Sequence, residues 1–536
     1  MMKGFIGKGT WIDKVADSIL LREKKLNRNL DIIRVESGLG ASGIPHIGSM
    51  GDAVRAYGIS LALNYQGYKS ELIAYSDDMD GLRKIPLGFP SWLEDYIAKP
   101  VSNIPDPFGD CHNSYGSHMS SLLLDGLDKT GIKYIFKSAR EVYKSGILAD
   151  AIHQILTQSE SLGHKISEFV GQDKFLNVLP YFPVCKACGK LYVAHAKKYF
   201  PNEKKVLYEC SGSKIGNREV EGCGYKGEVD IGSDNGKLAW KVEFAARWKI
   251  LDIRFEAYGK DIMDSVKVND WVCEELLKFP HPFHIKYEMF LDKGGKKISK
   301  SAGNVLTPQM WLKYGTPQSI LLFLFKRITG TRHVGIDDIP SLMDEYDFYE
   351  DIYFDKIKES NQSKLFRIKG IYEYINHLDP PINNLNHIPY RLIAQQTSLF
   401  EGYGRIDKVF ERLKKYKLVS EKTKDIIEKI HLASNWTDDI LIDEEKYDLT
   451  LESNQREAIL ELVTHLDTYN ERNPNDPSSD IQTIIYETSK KYSIQPKDFF
   501  KLLYKILIHT DRGPKLGNYI VDIGINKACK IIKKYL

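Results

Sequence analysis

The sequence predicts an α/β protein whose parallel sheet is interrupted by a cysteine-rich insertion and followed by an all-helical region. Three observations carry this. An apolar run, Ile32-Ile33-Arg34-Val35, passes through a glycine-rich turn into a helical pattern bearing Met50, Val54, Tyr57 and Leu61, and a second strand-like run, Glu71–Tyr75, follows. Four of the seven cysteines fall between 185 and 223. Beyond Pro340 the strand signals fade and helical periodicity dominates.

Taken in order, residues 1–30 read as an amphipathic helix with Trp11, Ile12, Val15, Ile19 and Leu20 on one face. Strand, glycine-rich turn, helix and strand then open a nucleotide-binding βαβ unit. Gly38, Gly40, Gly43 and Gly48 let backbone approach a ligand without Cβ interference. His46 and Ser49 sit at the mouth of a helix whose free N–H groups favour phosphate. Pro-rich loops, the cysteines and short strand-like runs such as Lys205–Tyr208 mark the insertion. The α/β pattern resumes near Ala239, runs through Trp240–Trp248 and the Gly259-Lys260-Asp261 turn, and closes at Lys297-Ile-Ser299-Lys300-Ser301. Thr307-Pro308 and Thr316-Pro317 combine an N-cap with a first-turn proline and start helices ending near Gly315 and Arg327. The expected divisions are 1–80 (N-terminal helix and first half of the sheet domain), 81–238 (insertion), 239–330 (second half), 331–395 (helical linking region) and 396–536 (all-α domain).

With 42% hydrophobic and 27% charged residues the composition is that of an ordinary soluble protein. The longest apolar run, Ile320–Phe325, is too short to cross a bilayer, and Met1–Lys14 leads into no apolar stretch of signal-peptide length. A cytoplasmic protein without membrane contact is expected. The net charge of +3 hides an asymmetry, because residues 487–536 carry eleven Lys/Arg against four Asp/Glu. Such charge suits a phosphate backbone and equally a solvated helical face.

Cysteines in a cytosolic chain argue for metal rather than disulfides. Cys185-x-x-Cys188 with Cys210 and Cys223 has the make-up of a tetrahedral Zn²⁺ site, a set of buried thiols being the alternative. Asp106, Cys111, His112 and His118 could complete a second tetrahedral site, although spacing alone leaves either histidine as ordinary polar surface.

Two short segments about 250 residues apart are the most specific features: His46-Ile-Gly48-Ser49 and Lys297-Ile-Ser299-Lys300-Ser301. Alone, one reads as a structural turn and the other as a solvated loop. In this order and separation they resemble the two signatures of class I aminoacyl-tRNA synthetases, written HIGH and KMSKS. The resemblance extends nearly end to end to class I lysyl-tRNA synthetases through Glu36-Ser-Gly-Leu-Gly-Ala-Ser-Gly43, Asp77-Asp78-Met-Asp80-x-x-Arg83-Lys84 and Pro105-Asp106-Pro107. Trp240-Lys-Val-Glu-Phe244, Ala246-Arg247-Trp248, Phe255-Glu256, Gly259-Lys260-Asp261 and Asp511-Arg512-Gly513-Pro514-Lys515-Leu516 continue it.

That resemblance implies a Rossmann-type catalytic domain with a zinc-stapled connective insertion, then an α-helix-cage anticodon-binding domain. It implies ligation of L-lysine to tRNA-Lys with ATP as co-substrate and Mg²⁺ beside it. The catalytic residues would be His46, Ser49, Lys297 and Lys300. ATP would be held by Ser42, Gly43, His46, Gly48, Ser49 and Lys300, and lysine by Glu36, Gly38, Gly40, Asp78, Trp240 and Tyr287. Two structural Zn²⁺ sites would use Asp106, Cys111, His112 and His118, and Cys185, Cys188, Cys210 and Cys223. The oligomeric state is left open, a monomer being slightly favoured. The chain departs from the family pattern by one extra residue before Cys111, by an all-thiol second zinc set, and by Ile262 where many members carry a histidine associated with substrate binding. A nucleotidyltransferase or a non-catalytic RNA-binding relative are the rival readings. The helical extension weighs against the first, and the intact His46, Lys297 and Lys300 against the second.

Overall fold

The computed structural model describes residues 9–109, 111–288, 290–292, 294–295, 306–400, 402–440, 449–469, 476–508, 511 and 513–536. The chain forms two compact units. The first comprises 1–310, 320–336 and 355–381, and the second 311–319, 337–354 and 382–536.

The first unit is built on a five-stranded parallel sheet. Its elements are α1 (Trp11–Lys25), β1 (Ile33–Leu39), α2 (Ile47–Tyr65), β2 (Ser70–Ser76), α3 (Tyr115–Lys129), β3 (Ile135–Ser138), α4 (Trp240–Leu251), β4 (Ile253–Gly259) and β5 (Phe283–Tyr287). The N-terminal helix begins at a capping box, Thr10 receiving the Asp13 N–H while the Asp13 carboxylate receives the Thr10 N–H at 2.9 Å. Strand order is β5-β4-β1-β2-β3, every pair parallel. Ile33, Val35, Leu72, Ile253 and Phe255 are buried, as expected of parallel strands covered on both faces. The chain adds β2 and β3 on one side of β1, then returns to add β4 and β5 on the other. The order therefore reverses between β1 and β4, and the carboxyl edge there is where such sheets bind ligands.

The segments between β3 and α4 include an antiparallel meander, Ala194–Phe200, Lys205–Cys210 and Lys226–Asp230, with a small hairpin, Ser213–Ile215 and Arg218–Val220. Tyr181–Pro183 pairs antiparallel with Gly236–Leu238 and brings the chain back to the start of α4.

The second unit is helical, with no strand among its described residues. Its helices include Ile339–Tyr353, Tyr390–Thr397, Lys424–Asp439, Ser453–Asp467, Pro477–Lys491 and Leu516–Ile523. Glycine is required where the last two meet, because a Cβ on Gly517 would lie 1.9 Å from the Ser478 carbonyl oxygen. The Gly517 N–H instead donates to Gln482 at 2.8 Å. No helix among the described residues is long and apolar enough to cross a membrane.

Candidate active site and metal centres

The N-terminus of α2 is built by its own first residues. His46 is the cap, in extended conformation, and its Nδ1 accepts the N–H groups of Gly48 at 3.0 Å and Ser49 at 3.3 Å. This satisfies two of the donors that a helix start leaves open. Gly48 is needed for that fold-back, since a Cβ there would lie 2.7 Å from the His46 ring. The Ile47 N–H donates to the carbonyl of Leu306 at 2.9 Å. Lys297 and Lys300 lie outside the described residues. On the preceding turn, Ser42 is exposed, Gly43 is buried, and the Ser42 carbonyl accepts the Tyr115 hydroxyl at 3.1 Å.

Arg247 organises the sheet edge. Fully buried on α4, it pairs with Glu36 at 2.5 Å, Asp77 at 3.2 Å and Glu256 at 3.3 Å. Its guanidinium also lies over the Tyr75 ring, 4.4 Å from the centroid. Burial raises the pKa of Glu36 well above the carboxylate range and that of Asp77 to about 7, with Arg247 pulling both back down. Glu36 and Asp77 therefore hold their protons more tightly than exposed carboxylates do. Gly38 borders this cluster. Glu36 is therefore engaged internally, and so is Asp78. One Asp78 oxygen receives the Ser138 hydroxyl at 2.5 Å and the other the Arg140 N–H at 2.9 Å.

Tyr287 sits in a different group, at the end of β5. The Arg55 guanidinium stacks over its ring at 4.1 Å and pairs with Asp52 at 3.2 Å, while the Tyr287 hydroxyl bonds Asp52. Burial pushes the Asp52 carboxyl up to about 7, opposed by Arg55 and the Tyr287 hydroxyl and reinforced by the charges of Glu256 and Asp261. Trp240 opens α4, and its indole N–H donates to Asp80 at 3.2 Å. The same carboxylate receives Lys237 at 2.5 Å, and Lys237 also pairs with Glu243 at 2.8 Å.

Both cysteine-containing groups assemble. Cys185 and Cys223 sulfurs are 3.6 Å apart and those of Cys188 and Cys210 3.8 Å apart. A tetrahedral Zn²⁺ with Zn–S bonds of about 2.3 Å sets thiolates about 3.8 Å apart, so the four thiols fit zinc. In the second group the Asp106 oxygen lies 3.2 Å from Cys111, 3.6 Å from His112 and 2.9 Å from His118. Cys111 is 3.1 Å from His112 and 3.4 Å from His118, and the two histidine Nδ1 atoms are 3.2 Å apart. Four donors have six mutual separations, and all six suit the edges of a small tetrahedron.

A glycine turn at the switch point, a histidine-capped phosphate-type helix and a four-thiol insertion occur together on one chain. Residues 9–377 match the family model described as tRNA synthetases class I (K). The Lysine--tRNA ligase of Cenarchaeum symbiosum (strain A) is 51% identical over 532 residues, 99% of each chain. This chain belongs to the class I lysyl-tRNA synthetases. The Lysine--tRNA ligase of Rickettsia bellii (strain RML369-C) is 30% identical, covering 94% of this chain and 93% of its own. A glutamate tRNA ligase structure from Elizabethkingia meningosepticum aligns at 12% identity over 94% of this chain and 99% of its own, with a TM-score of 0.34, too low to bear on the assignment.

For this lysyl-tRNA synthetase, sequence reading alone passed over Asp52 and Arg55, and gave no role to Arg247 or Glu256, which entered only as part of the family resemblance. One signal was available. Asp52 and Arg55 are three residues apart on a helix that is otherwise almost wholly apolar and small, where charges survive only if partnered.

Proposed function

We propose that this synthetase activates L-lysine with ATP and passes the lysyl group to the 3′-terminal adenosine of tRNA-Lys at the carboxyl edge of β1, β2, β4 and β5. The observation that carries this is the 51% identity with a Lysine--tRNA ligase across 99% of both chains. In the first step a lysine carboxylate oxygen attacks the α-phosphorus of ATP, the bond to the bridging oxygen breaks, and pyrophosphate leaves. In the second a ribose hydroxyl, the 2′-OH by class I membership, attacks the lysyl carbonyl and AMP departs.

Such chemistry needs placement and charge neutralisation more than covalent help. The α2 N-terminus, with His46, Gly48 and Ser49, is assigned to ATP, joined by Ser42 and Gly43 from the turn. Lys297 and Lys300 are assigned to the charge that builds on pyrophosphate. Gly38 and Gly40 offer close backbone approach for lysine, and Trp240 and Tyr287 wall its stem. The carboxylates around Tyr287, Asp52 foremost, suit the ε-ammonium better than Glu36, which already faces the Arg247 guanidinium, or Asp78, whose two oxygens accept Ser138 and Arg140. Mg²⁺ accompanies ATP. Cys185, Cys188, Cys210 and Cys223 would hold one structural Zn²⁺, and Asp106, Cys111, His112 and His118 a second, each fastening segments of the insertion that lie apart in sequence. The helical unit is assigned to the anticodon.

Pyrophosphate exchange across a panel of amino acids tests the reading. Exchange dependent on lysine supports it, and exchange without any amino acid, or none at all, overturns it.

A further inference from the structure

A third group of metal-ligating side chains shares no residue with the two cysteine-containing centres. Asp270 stands near the end of α5 (Met263–Trp271), Glu274 in the π-helical turn Val272–Leu276 that follows it, His281 just before β5 and His284 on β5. One donor atom each from Asp270, His281 and His284 falls within 4.8 Å of the other two, and all three residues are half-buried. Asp270 Oδ1 lies 3.0 Å from His284 Nε2 and 3.7 Å from His281 Nδ1. Glu274 Oε1 lies 3.4 Å from His281 Nε2. Among the described residues, neither carboxylate has a lysine or arginine within ion-pair distance.

Every ring nitrogen of the two histidines faces an oxygen. His284 Nδ1 has the Glu256 carbonyl at 3.1 Å, and His281 Nδ1 has the Pro282 carbonyl at 2.7 Å. Carbonyls and carboxylates accept, whereas a neutral imidazole carries only one N–H. With that N–H given to the backbone carbonyl, each Nε2 is left with its lone pair against a carboxylate. Two further positive charges are needed, as protons or as a metal ion. Protons on both rings would make two imidazoliums stacked face to face, with ring centroids 5.5 Å apart and planes 6° from parallel. One divalent ion serves both rings at once and meets the carboxylates as well. An Nδ1–H bonded to a backbone carbonyl is also how proteins orient a histidine that ligates metal through Nε2.

The surrounding structure holds both rings in place. His284 packs against Trp248 and Tyr258, ring centroids 5.0 and 5.6 Å away, and pairs in register with Glu256 on β4. The His281 carbonyl accepts Arg22 Nη2 from α1 at 2.6 Å, and the charge of Arg22 is met by Glu23 at 3.1 Å. A π-helical turn is a rare departure from the α-helix and is frequent at functional sites. Here it carries Glu274 to His281.

We propose that Asp270, His281 and His284, with Glu274 as a fourth ligand, bind one divalent first-row metal ion, Zn²⁺ being the best match to this imidazole and carboxylate set. The ion joins the end of α5 to the start of β5 and so braces the strand that ends at Tyr287. With no thiolate in the set and solvent in reach, it is held less tightly than an ion at either cysteine-containing centre. It therefore exchanges, and adds to the two ions expected there only when metal is supplied.

The test titrates Zn²⁺ by calorimetry into the full-length chain after gel filtration, beside Asp270→Asn, His281→Gln and a control, His164→Gln, at an exposed histidine outside the group. Parent and control are expected to take up one equivalent beyond the ions retained on isolation. Asp270→Asn and His281→Gln should each bind it about tenfold or more weakly. Thermal melting without added metal shows whether each variant is folded, and added Zn²⁺ should raise the midpoint in parent and control alone. Should His281→Gln fail to fold, the nearly isosteric Asp270→Asn decides. Co²⁺ in place of Zn²⁺ should give ligand-field bands without thiolate charge transfer, which separates this site from the cysteine-containing ones. The proposal is overturned if the parent takes up no further equivalent, if the folded variants bind as the parent does, or if the added Co²⁺ shows thiolate charge transfer.

Discussion

The amide of Ile47 donates to the carbonyl of Leu306 at 2.9 Å, fastening the residue after the His46 cap to the chain just beyond the Lys297–Ser301 signature. On the near side of that signature Phe290 also meets α2, since Cβ atoms at Gly48 and Gly51 would lie 3.6 and 3.4 Å from its ring. The described residues on both flanks of the lysine-bearing segment are therefore anchored at the start of one helix. Lys300→Ala is expected to slow lysine-dependent pyrophosphate exchange about a hundredfold, leaving KM for lysine within a few fold. Equal changes in both parameters would contradict a role confined to the developing pyrophosphate charge.

His46 does two jobs that substitution can separate. His46→Asn keeps a side-chain acceptor for the cap, whereas His46→Ala removes it and is expected to cost about 1 kcal/mol in urea unfolding. Exchange activity should fall in both. A stable Asn variant with undiminished activity would reduce His46 to a structural cap.

Asp52 ties lysine affinity to pH. Burial raises its pKa to about 7, so near neutrality it is partly protonated. An arriving ammonium favours the carboxylate and should expel that proton, so lysine affinity is expected to rise between pH 6 and 8. Stability runs the other way. The folded state holds the Asp52 proton where the unfolded chain has lost it, so this contribution weakens as pH climbs from about 4 toward 7 and is flat above. Calorimetry in buffers of different ionisation enthalpy reads the released proton, and Asp52→Asn should abolish the release.

Two zinc equivalents per chain are expected by elemental analysis. Cys210→Ser should lose one and His118→Ala the other, each with earlier proteolytic cleavage in the insertion. Retention of both ions in Cys210→Ser would remove that thiol from the ligand set.

His387 makes the helical unit sensitive to alkali. It lies 3.3 Å from Asp347 and 3.4 Å from Glu350, with Lys429 paired to Asp347 at 2.5 Å. Burial alone would lower its pKa, but the carboxylates outweigh that and raise it from 6.5 to about 9. A raised histidine stabilises fully below the unfolded value of 6.5, and the contribution is lost as pH rises through 9. The urea midpoint gap between the parent and His387→Gln should be widest near pH 6 and narrow by pH 10.

The βαβ opening and the four-thiol group were legible because each depends on local spacing: glycines before a helix, cysteines in pairs. The strand β3 was not, since its four residues, Ile135-Phe-Lys-Ser138, are largely exposed and carry no alternation that marks a sheet edge. Acidic roles were the least legible. Glu36 and Asp78 flank the ligand edge in sequence, yet whether a carboxylate faces a cavity or a neighbouring side chain depends on partners as distant as Arg247 and Ser138. Asp52 lay hidden for the opposite reason, because its partner Tyr287 comes from a strand more than two hundred positions away.

Arg247 links the exits of three adjacent strands, β4, β1 and β2, through one side chain of a helix behind them. Backbone pairing alone would let those exits splay when a ligand pushes between them. Riveted at one point, they form an anvil against which any closing loop must strike. The slowest amide exchange in the molecule should then fall at Ser37–Leu39, and Arg247→Lys, with a single nitrogen to share among three acids, should be the substitution that lets that edge breathe.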